Sequence, residues 1–494
     1  MPSFLKSERS YFWILLVLCV LAFMTNLHGY PLFDVDEPRY METAREFLYP
    51  PYDWITPHFN WMTRFDKPIL FYWLLASSFK LFGVTEWAGR IVSAIAGTLT
   101  VLGVYEFTKI FSSRKQAFLT GLILITTAEF GVVSRWAITD MTLCFFMVFT
   151  TMCLFLAIER NRSWAILGGM FCGLGLLTKG PVALALPGGI ALLYTLISRR
   201  EQCSWLWHWK TLLGIVLALF IAFPWYYLVN QANPTEFIQK FFLLHNIERF
   251  TGVVSAHAGP WWYYVPIFLC GGLPWTFLLF SKKNYFALKN TLQTKGQTLW
   301  QGFRAQPAYI QFAWIFFLLT FIFFSAAGTK LLTYIITVFP ATAILFAFYY
   351  PKQYRYKTLY SIATGFLILK LLVNFVGFPL AAQIKQGDML AFSQLAIEQD
   401  ATLATYDCKR PSLVYYSKSR IYVLVPKNKA ADYPPESQDT QFYSQKPVFV
   451  VLKTRQETEF LEQYSAERLK KGTMFSLFRL NHPQNVPLRK DINQ

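Results

Sequence analysis

Long runs of apolar residues, separated by short stretches in which the charges collect, set the pattern of this chain. A helix needs about 20 mostly apolar residues to cross the hydrocarbon of a bilayer. Runs of that kind fall at 11–30, 87–111, 117–134, 137–158, 164–178, 182–197, 212–229, 263–280, 309–327, 331–350 and 358–377. They predict eleven spans, and eleven to thirteen if weak ones have merged. The first run follows Lys6 and Arg9, as a signal peptide would. It is too long for a signal sequence and no small-residue cleavage site follows it, so it reads as an uncleaved span.

Between the first two runs, residues 31–82 are mixed. Met41 to Leu48 predicts a short amphipathic helix and Trp54 to Lys67 an aromatic-rich loop, a layer that should lie along the membrane surface. The stretch 71–82 is too short for a confident span and goes with that layer. After Pro379 the pattern changes: β-like runs at 419–425, 447–452 and 474–480 alternate with helix-like 389–398 and 454–464. The expected fold class is a mainly α, polytopic transmembrane bundle with juxtamembrane helices, followed by a small α/β domain. The expected division is 1–378, with 31–82 as its first outer loop, and 379–494.

Composition agrees: 54% of residues are hydrophobic and 15% charged, which excludes an ordinary soluble domain. A net charge of +18 would suggest a nucleic-acid partner in a soluble protein. Here much of the excess sits in short loops: Arg114 and Lys115, Arg160 and Arg162, Arg199 and Arg200, Lys282 to Arg304, and Lys352, Arg355 and Lys357. These alternate as cytoplasmic loops should, so no nucleic acid is expected, the N-terminus is expected in the cytoplasm and, with an odd number of spans, the C-terminus outside. The seven cysteines suggest neither a disulfide framework nor a metal site.

With that topology the remaining ionisable residues collect on the outer side. Phe33-Asp34-Val35-Asp36-Glu37-Pro38-Arg39-Tyr40 leaves the first span with three carboxylates and an arginine. Asp66, Lys67, Arg135, Asp140, Lys179, His245, Glu248, Arg249, His257, Lys330 and Tyr334 follow in later outer turns. A lone basic residue at a helix end can simply snorkel to the interface. His58 and His257 read as satisfied loop histidines before ligands, and Asp34, Asp36 or Asp140 can cap a helix. Taken together, cations at Arg39, Lys67, Lys179, Arg249 and Lys330 on the face that should be poor in them call for an anion. A phosphate on a lipid tail would sit at that depth. The nearby acids can orient a sugar, meet an amino group or act as a base.

These residues resemble a known family. Asp36-Glu37-x-Arg39-Tyr40, Asp53-Trp54-Ile55-x-Pro57-His58 and Phe65-Asp66-Lys67-Pro68-Ile69-x-x-Tyr72-Trp73 are similar to the first outer loop of bacterial transferases that move 4-amino-4-deoxy-L-arabinose from undecaprenyl phosphate to lipid A. Those belong to the wider GT-C glycosyltransferases, with the protein O-mannosyltransferases. The likeness continues through Leu177-Thr178-Lys179-Gly180, His245 to Phe250, Ala256-His257-x-x-Pro260-Trp261-Trp262-Tyr263-Tyr264, Leu273-Pro274-Trp275 and Thr329-Lys330-Leu331-x-Thr333-Tyr334-Ile335. Asp66 stands where the arabinose enzymes have Glu, one extra residue lies within Tyr49 to Tyr52, and the C-terminal part is only loosely similar.

The resemblance implies a GT-C transmembrane catalytic domain in the bacterial inner membrane. Asp36 and Asp140 would be the catalytic acids and Lys67, Arg249 and Tyr334 would hold the carrier phosphate; the charges collected on the outer side add Glu37, Arg39, Lys179 and Lys330, with His257, as substrate-binding candidates. The implied reaction is inverting transfer of a sugar, an amino sugar by resemblance, from a polyprenyl (undecaprenyl) phosphate carrier to lipid A or another periplasmic acceptor. The same donor with a protein or glycan acceptor is one alternative. A lipid-linked sugar transporter is another, for which broken helices and charges near the bilayer midplane are not evident in the pattern. No cofactor is expected; a divalent metal would have only two distant histidines and an acid to hold it.

Overall fold

In lipid a chain must satisfy its backbone hydrogen bonds internally, so the apolar runs fold as helices. In the computed structural model, which describes residues 10–50, 53–248, 252, 259–281, 296–424, 444–486 and 489–490, every predicted run has a helical counterpart. Among the described residues six helical stretches are long and apolar enough to cross a membrane: Glu86–Phe111, Thr139–Glu159, Trp209–Ala232, Ala308–Ala326, Leu332–Lys352 and Tyr356–Glu398. Shorter apolar helices are Ser10–Met24, Leu70–Phe82, Trp164–Lys179 and Val182–Ser198. The chain is a multi-pass membrane protein.

The described residues divide into two compact units, one drawn from 1–25, 65–71 and 90–372, the other from 26–64, 72–89 and 373–494. In the first unit Thr139–Glu159 is buried on nearly all sides. Trp209–Ala232 instead buries one stripe, Thr211, Gly214, Ala218, Ala222, Trp225 and Val229, and exposes Leu219, Phe220 and Phe223. That stripe lies on Trp164–Lys179, and small residues permit the approach. A Cβ on Gly169 would stand 2.0 Å from the Gly214 carbonyl oxygen, and one on Gly173 2.8 Å from that of Ala218.

Two predicted spans are broken. The 117–134 run stops at Thr127, whose backbone is extended, and resumes as Ala128–Val133. The 263–280 run splits into Tyr264–Gly271 and a 3-10 turn, Trp275–Phe280, across Pro274. The expectation of unbroken spans is overturned at both places, where the runs carry Glu129 and Pro274. Carbonyls released at the first break need donors inside the bilayer. Lys370 supplies them, its Nζ donating to Ile125 O at 2.5 Å and Thr127 O at 2.7 Å. Trp275 Nε1 donates to Thr126 Oγ1 at 2.9 Å. The stretch after Val229, which the topology makes an outer loop, is helical over Pro234–Phe237 and Ile238–Glu248.

The second unit holds a six-stranded sheet, built from β3 (Thr402–Tyr406), β4 (Tyr422–Leu424), β5 (Val448–Lys453), β6 (Ala466–Lys471), β7 (Phe475–Leu480) and β8 (Arg489–Lys490). A short hairpin, β1 (His58–Phe59) and β2 (Met62–Thr63), precedes them in the chain. The sheet order is β6-β7-β5-β3-β4-β8, with β3 parallel to both β4 and β5 and the other pairs antiparallel. β5 is buried on both faces, which is why Val448 to Leu452 reads as an unbroken apolar run. Met389, Phe392, Leu413 and Val414 cover Phe449 and Val451 on one face, and Phe460 covers Val448 and Val450 on the other. Phe59 is buried with the first of these clusters, and Asn60 exchanges two hydrogen bonds with the Ile421 backbone, at 2.8 and 2.9 Å.

Candidate functional site

The acidic helix begins earlier than its amphipathic pattern predicts, running Asp36–Glu46 rather than from Met41. Its first turn tolerates Pro38, which needs no intrahelical donor there, and favours Asp36 and Glu37 beside the free N–H groups. The residue ahead of the helix is Val35, which has no side-chain acceptor. Asp34 is therefore not its cap. Its carboxylate instead accepts the Ser412 N–H at 2.9 Å and the Ser412 hydroxyl at 2.5 Å, with Arg410 Nη1 at 3.8 Å. Burial raises the Asp34 pKa, and the Ser412 and Arg410 contacts oppose that rise.

The neighbours have distinct surroundings. Asp36 is exposed on the first turn, whereas Glu37 is buried and its Oε2 accepts the Phe33 N–H at 2.9 Å. The Arg39 carbonyl accepts from Arg64 Nη1 at 3.0 Å, and the Arg64 guanidinium lies against Tyr40, Phe59 and Tyr72. Further along the helix Glu42, Arg45 and Glu46 are all buried. Arg45 donates to both Glu42 oxygens, and Glu46 accepts the Trp61 N–H at 3.2 Å. Burial pushes both carboxyls up, and the Glu42 charge adds to it at Glu46, which reaches about 8.

The first unit gathers a second group. Asp140 lies in the first turn of Thr139–Glu159, and Lys179 is the last residue of Trp164–Lys179. Gly180 ends that helix with φ +82°, a conformation open to glycine. The turn carries Lys179 Nζ to 2.7 Å from Asp140 Oδ1 and 4.1 Å from the centre of the Tyr334 ring. Tyr334 belongs to the 3-10 turn Leu332–Thr337. Asp140 is thus an ion-pair partner, and no side chain caps its helix. An ammonium between a carboxylate and a ring face is held by charge and by cation–π attraction, so an entering anion would have to share it with Asp140.

Lys330 donates to the Ser325 carbonyl at 2.9 Å and to that of Ala327, covering the end of Ala308–Ala326, and desolvation lowers its pKa. Lys67 is buried, with Nζ 2.9 Å from the Asp66 carbonyl. Arg249 and His257 lie outside the described residues. Among the described residues no three His, Cys, Asp or Glu side chains gather as metal ligands.

Comparison with known proteins follows this geometry. Residues 66–228, which include Lys67, Asp140 and Lys179, match the family model described as dolichyl-phosphate-mannose-protein mannosyltransferase. Over 342 residues, 68% of this chain, it is 34% identical to an undecaprenyl phosphate-alpha-4-amino-4-deoxy-L-arabinose arabinosyl transferase of Aeromonas salmonicida. The chain is a homologue of these transferases. It spans 59% of the length of that relative.

The fold carries further than the sequence identity. The crystal structure of ArnT from Cupriavidus metallidurans bound to undecaprenyl phosphate superposes with a TM-score of 0.74 at 20% identity, covering 96% of this chain and 98% of that one. The archaeal oligosaccharyltransferase AglB from Archaeoglobus fulgidus reaches 0.51 at 12% identity, covering 99% of this chain and 76% of that one. The shared fold therefore includes the C-terminal α/β part, where the sequence likeness is loose. Sequence reasoning missed Arg64, Arg410, Ser412 and Tyr416, each of which holds the segment around Asp36 through a contact described here or below. Arg64 sits within an aromatic-rich loop, and the other three lie in a stretch without any charge pattern that would single them out.

Proposed function

We propose that this chain is a membrane glycosyltransferase that takes a sugar from undecaprenyl phosphate and attaches it to an acceptor at the periplasmic face of the bacterial inner membrane. The observation that carries this reading is the 34% identity, over 342 residues, with a transferase named for undecaprenyl phosphate-alpha-4-amino-4-deoxy-L-arabinose. The basic loops between spans support a cytoplasmic N-terminus and a periplasmic C-terminus. The family resemblance favours an amino sugar as the group transferred and lipid A as the acceptor.

In this reading the carrier phosphate is the leaving group. Lys67, Arg249 and Tyr334 hold it, and fixed donors stabilise the charge that grows as the anomeric carbon–oxygen bond breaks, more strongly in a water-poor site than in bulk. The bonding pair leaves with the phosphate and the acceptor oxygen takes its place, inverting the anomeric centre. Toward a hydroxyl acceptor Asp36 is the general base that takes its proton. Toward a phosphate of lipid A, already anionic, Asp36 steadies the positive charge developing on the sugar. Asp140 sets the charge and direction of Lys179, and Glu37, Arg39, Lys330 and His257 shape the substrate surroundings. None of these roles requires a metal.

The transporter reading asks for polar groups that serve a passenger within the bilayer. Lys370, at the break near Thr127, spends its ammonium on the helix carbonyls. Purified full-length protein, given undecaprenyl-phosphate 4-amino-4-deoxy-L-arabinose and lipid A, should release undecaprenyl phosphate and yield sugar-bearing lipid A by mass spectrometry. Asp36→Asn should lower the rate by about 100-fold or more while leaving the folded protein intact. No release by the wild-type chain would sink the enzyme reading, and release with lipid A unmodified would move the acceptor to a protein or glycan.

A further inference from the structure

We infer that the helix Pro411–Ser417 is a positioning element for the acid at Asp36, acting through Ser412 and Tyr416 on the segment that leads into the acidic helix. The inference rests on the role proposed for Asp36. Ser412 and Tyr416 are four residues apart and so share one face of their helix. That face grips the chain twice. Ser412 donates its N–H and its hydroxyl to the Asp34 carboxylate at 2.9 and 2.5 Å, and Tyr416 Oη accepts the Leu32 N–H at 2.8 Å. Tyr416 Oη also donates to Glu86 Oε1 at 3.1 Å, which fixes the direction of its hydroxyl.

The Asp34 side chain is 1% exposed, and a carboxylate so deeply buried persists only where its donors are met. Arg410, 3.8 Å from Asp34, rests its guanidinium 4.3 Å over the Phe475 ring of β7, tying the contact to the sheet. The helix Asp36–Glu46 itself packs against Pro411–Ser417. Residues 32–35 precede the first helical hydrogen bonds, so the regular structure of the acidic helix does not set their path. The distant helix holds Leu32 and Asp34, while the Glu37 side chain of the acidic helix holds the Phe33 N–H between them. Asp36 follows Asp34 by two residues and is exposed, so the line along which its carboxylate points depends on where Asp34 is pinned.

The test uses full-length protein in detergent, comparing wild type with Ser412→Ala/Tyr416→Phe and with Ser412→Thr. The double variant should lose between about 10-fold and 100-fold in kcat, since small misplacements of reacting groups have effects of that size. Its KM for the lipid-linked donor should stay within about twofold, because binding is not what is lost. Amide hydrogen exchange should rise across residues 32–40 and remain slow in β3 and β5. Ser412→Thr, which keeps both donors, should retain wild-type kcat. Wild-type kcat in the double variant overturns the inference, and so does exchange that rises through the whole sheet, since that marks a purely structural contact. A wild-type chain without transferase activity overturns the function proposed above, and the exchange pattern alone then decides whether 412 and 416 hold the segment.

Discussion

At the scale of single residues, carboxylates that look alike along the chain differ in what meets them. Asp36 is exposed, Asp34 is satisfied by Ser412, and Asp140 is paired with Lys179. The Asp140 and Lys179 side chains are 11% and 13% exposed, so removing either leaves a mostly desolvated charge behind. Asp140→Asn is expected to destabilise the protein by about 3 kcal/mol, and Asp140→Asn/Lys179→Gln by clearly less. Denaturation midpoints in detergent check this, and strictly additive losses would dismiss the pair. The cluster at Asp34 to Arg39 was legible as an oddity of charge beside lipid. Its sorting was not, because the partner of Asp34 lies 378 positions away.

At the scale of elements, two devices carry consequences. The first is the seam of small residues, Ala165, Gly169 and Gly173 against Gly214 and Ala218. Gly169→Val would drive a side chain into the Gly214 backbone, and overpacking of that kind should lower stability by about 1–3 kcal/mol or prevent accumulation of folded protein. Gly188→Ala meets nothing within 4 Å and should be close to neutral. Equal midpoints for the two variants would count against the seam. The glycines were visible in the sequence, but which helix they faced was not.

The second device is the buried Glu42–Arg45–Glu46 triad on the acidic helix. Glu46 titrates at about 8 in the folded chain against an ordinary 4.5, because burial and the Glu42 charge both disfavour its ionisation. Between those values the folded state keeps a proton that the unfolded chain has lost, so stability is full below the lower value and falls as pH rises through the upper one. The thermal midpoint should therefore drop from about pH 5.5 to about pH 8.5, and Glu46→Gln should flatten that slope. A slope unchanged by the substitution would assign the pH dependence elsewhere. Helix Asp36–Glu46 itself was half legible: its amphipathic part was plain, while its charged first turn was masked by Pro38.

At the scale of the whole molecule, hydropathy and loop charge foretold a multi-span protein with an α/β part at its C-terminal end. Each apolar run from residue 87 onward became helical, and the runs at 447–452 and 474–480 became β5 and β7. These features are local, since a helix or buried strand needs only its own residues to declare its period and its solvent. β6 escaped notice because its sequence, Ala466 to Lys471, is that of a charged edge strand without an apolar face. The break at Thr127 also escaped, since an apolar run does not reveal where a lysine from another helix will supply the missing donors, whereas the break at Pro274 was marked in the sequence by Gly271, Gly272 and Pro274. The sequence by itself determined the apolar helices, the basic loops, the apolar strands and the candidate acids and cations. Only the tertiary structure decided that Asp140, Lys179 and Tyr334 meet, that Asp34 turns to Ser412, and that residues 26–64 and 72–89 share a compact unit with 373–494. Such pairings join positions tens to hundreds of residues apart, and many cations and carboxylates compete for each place until packing selects one.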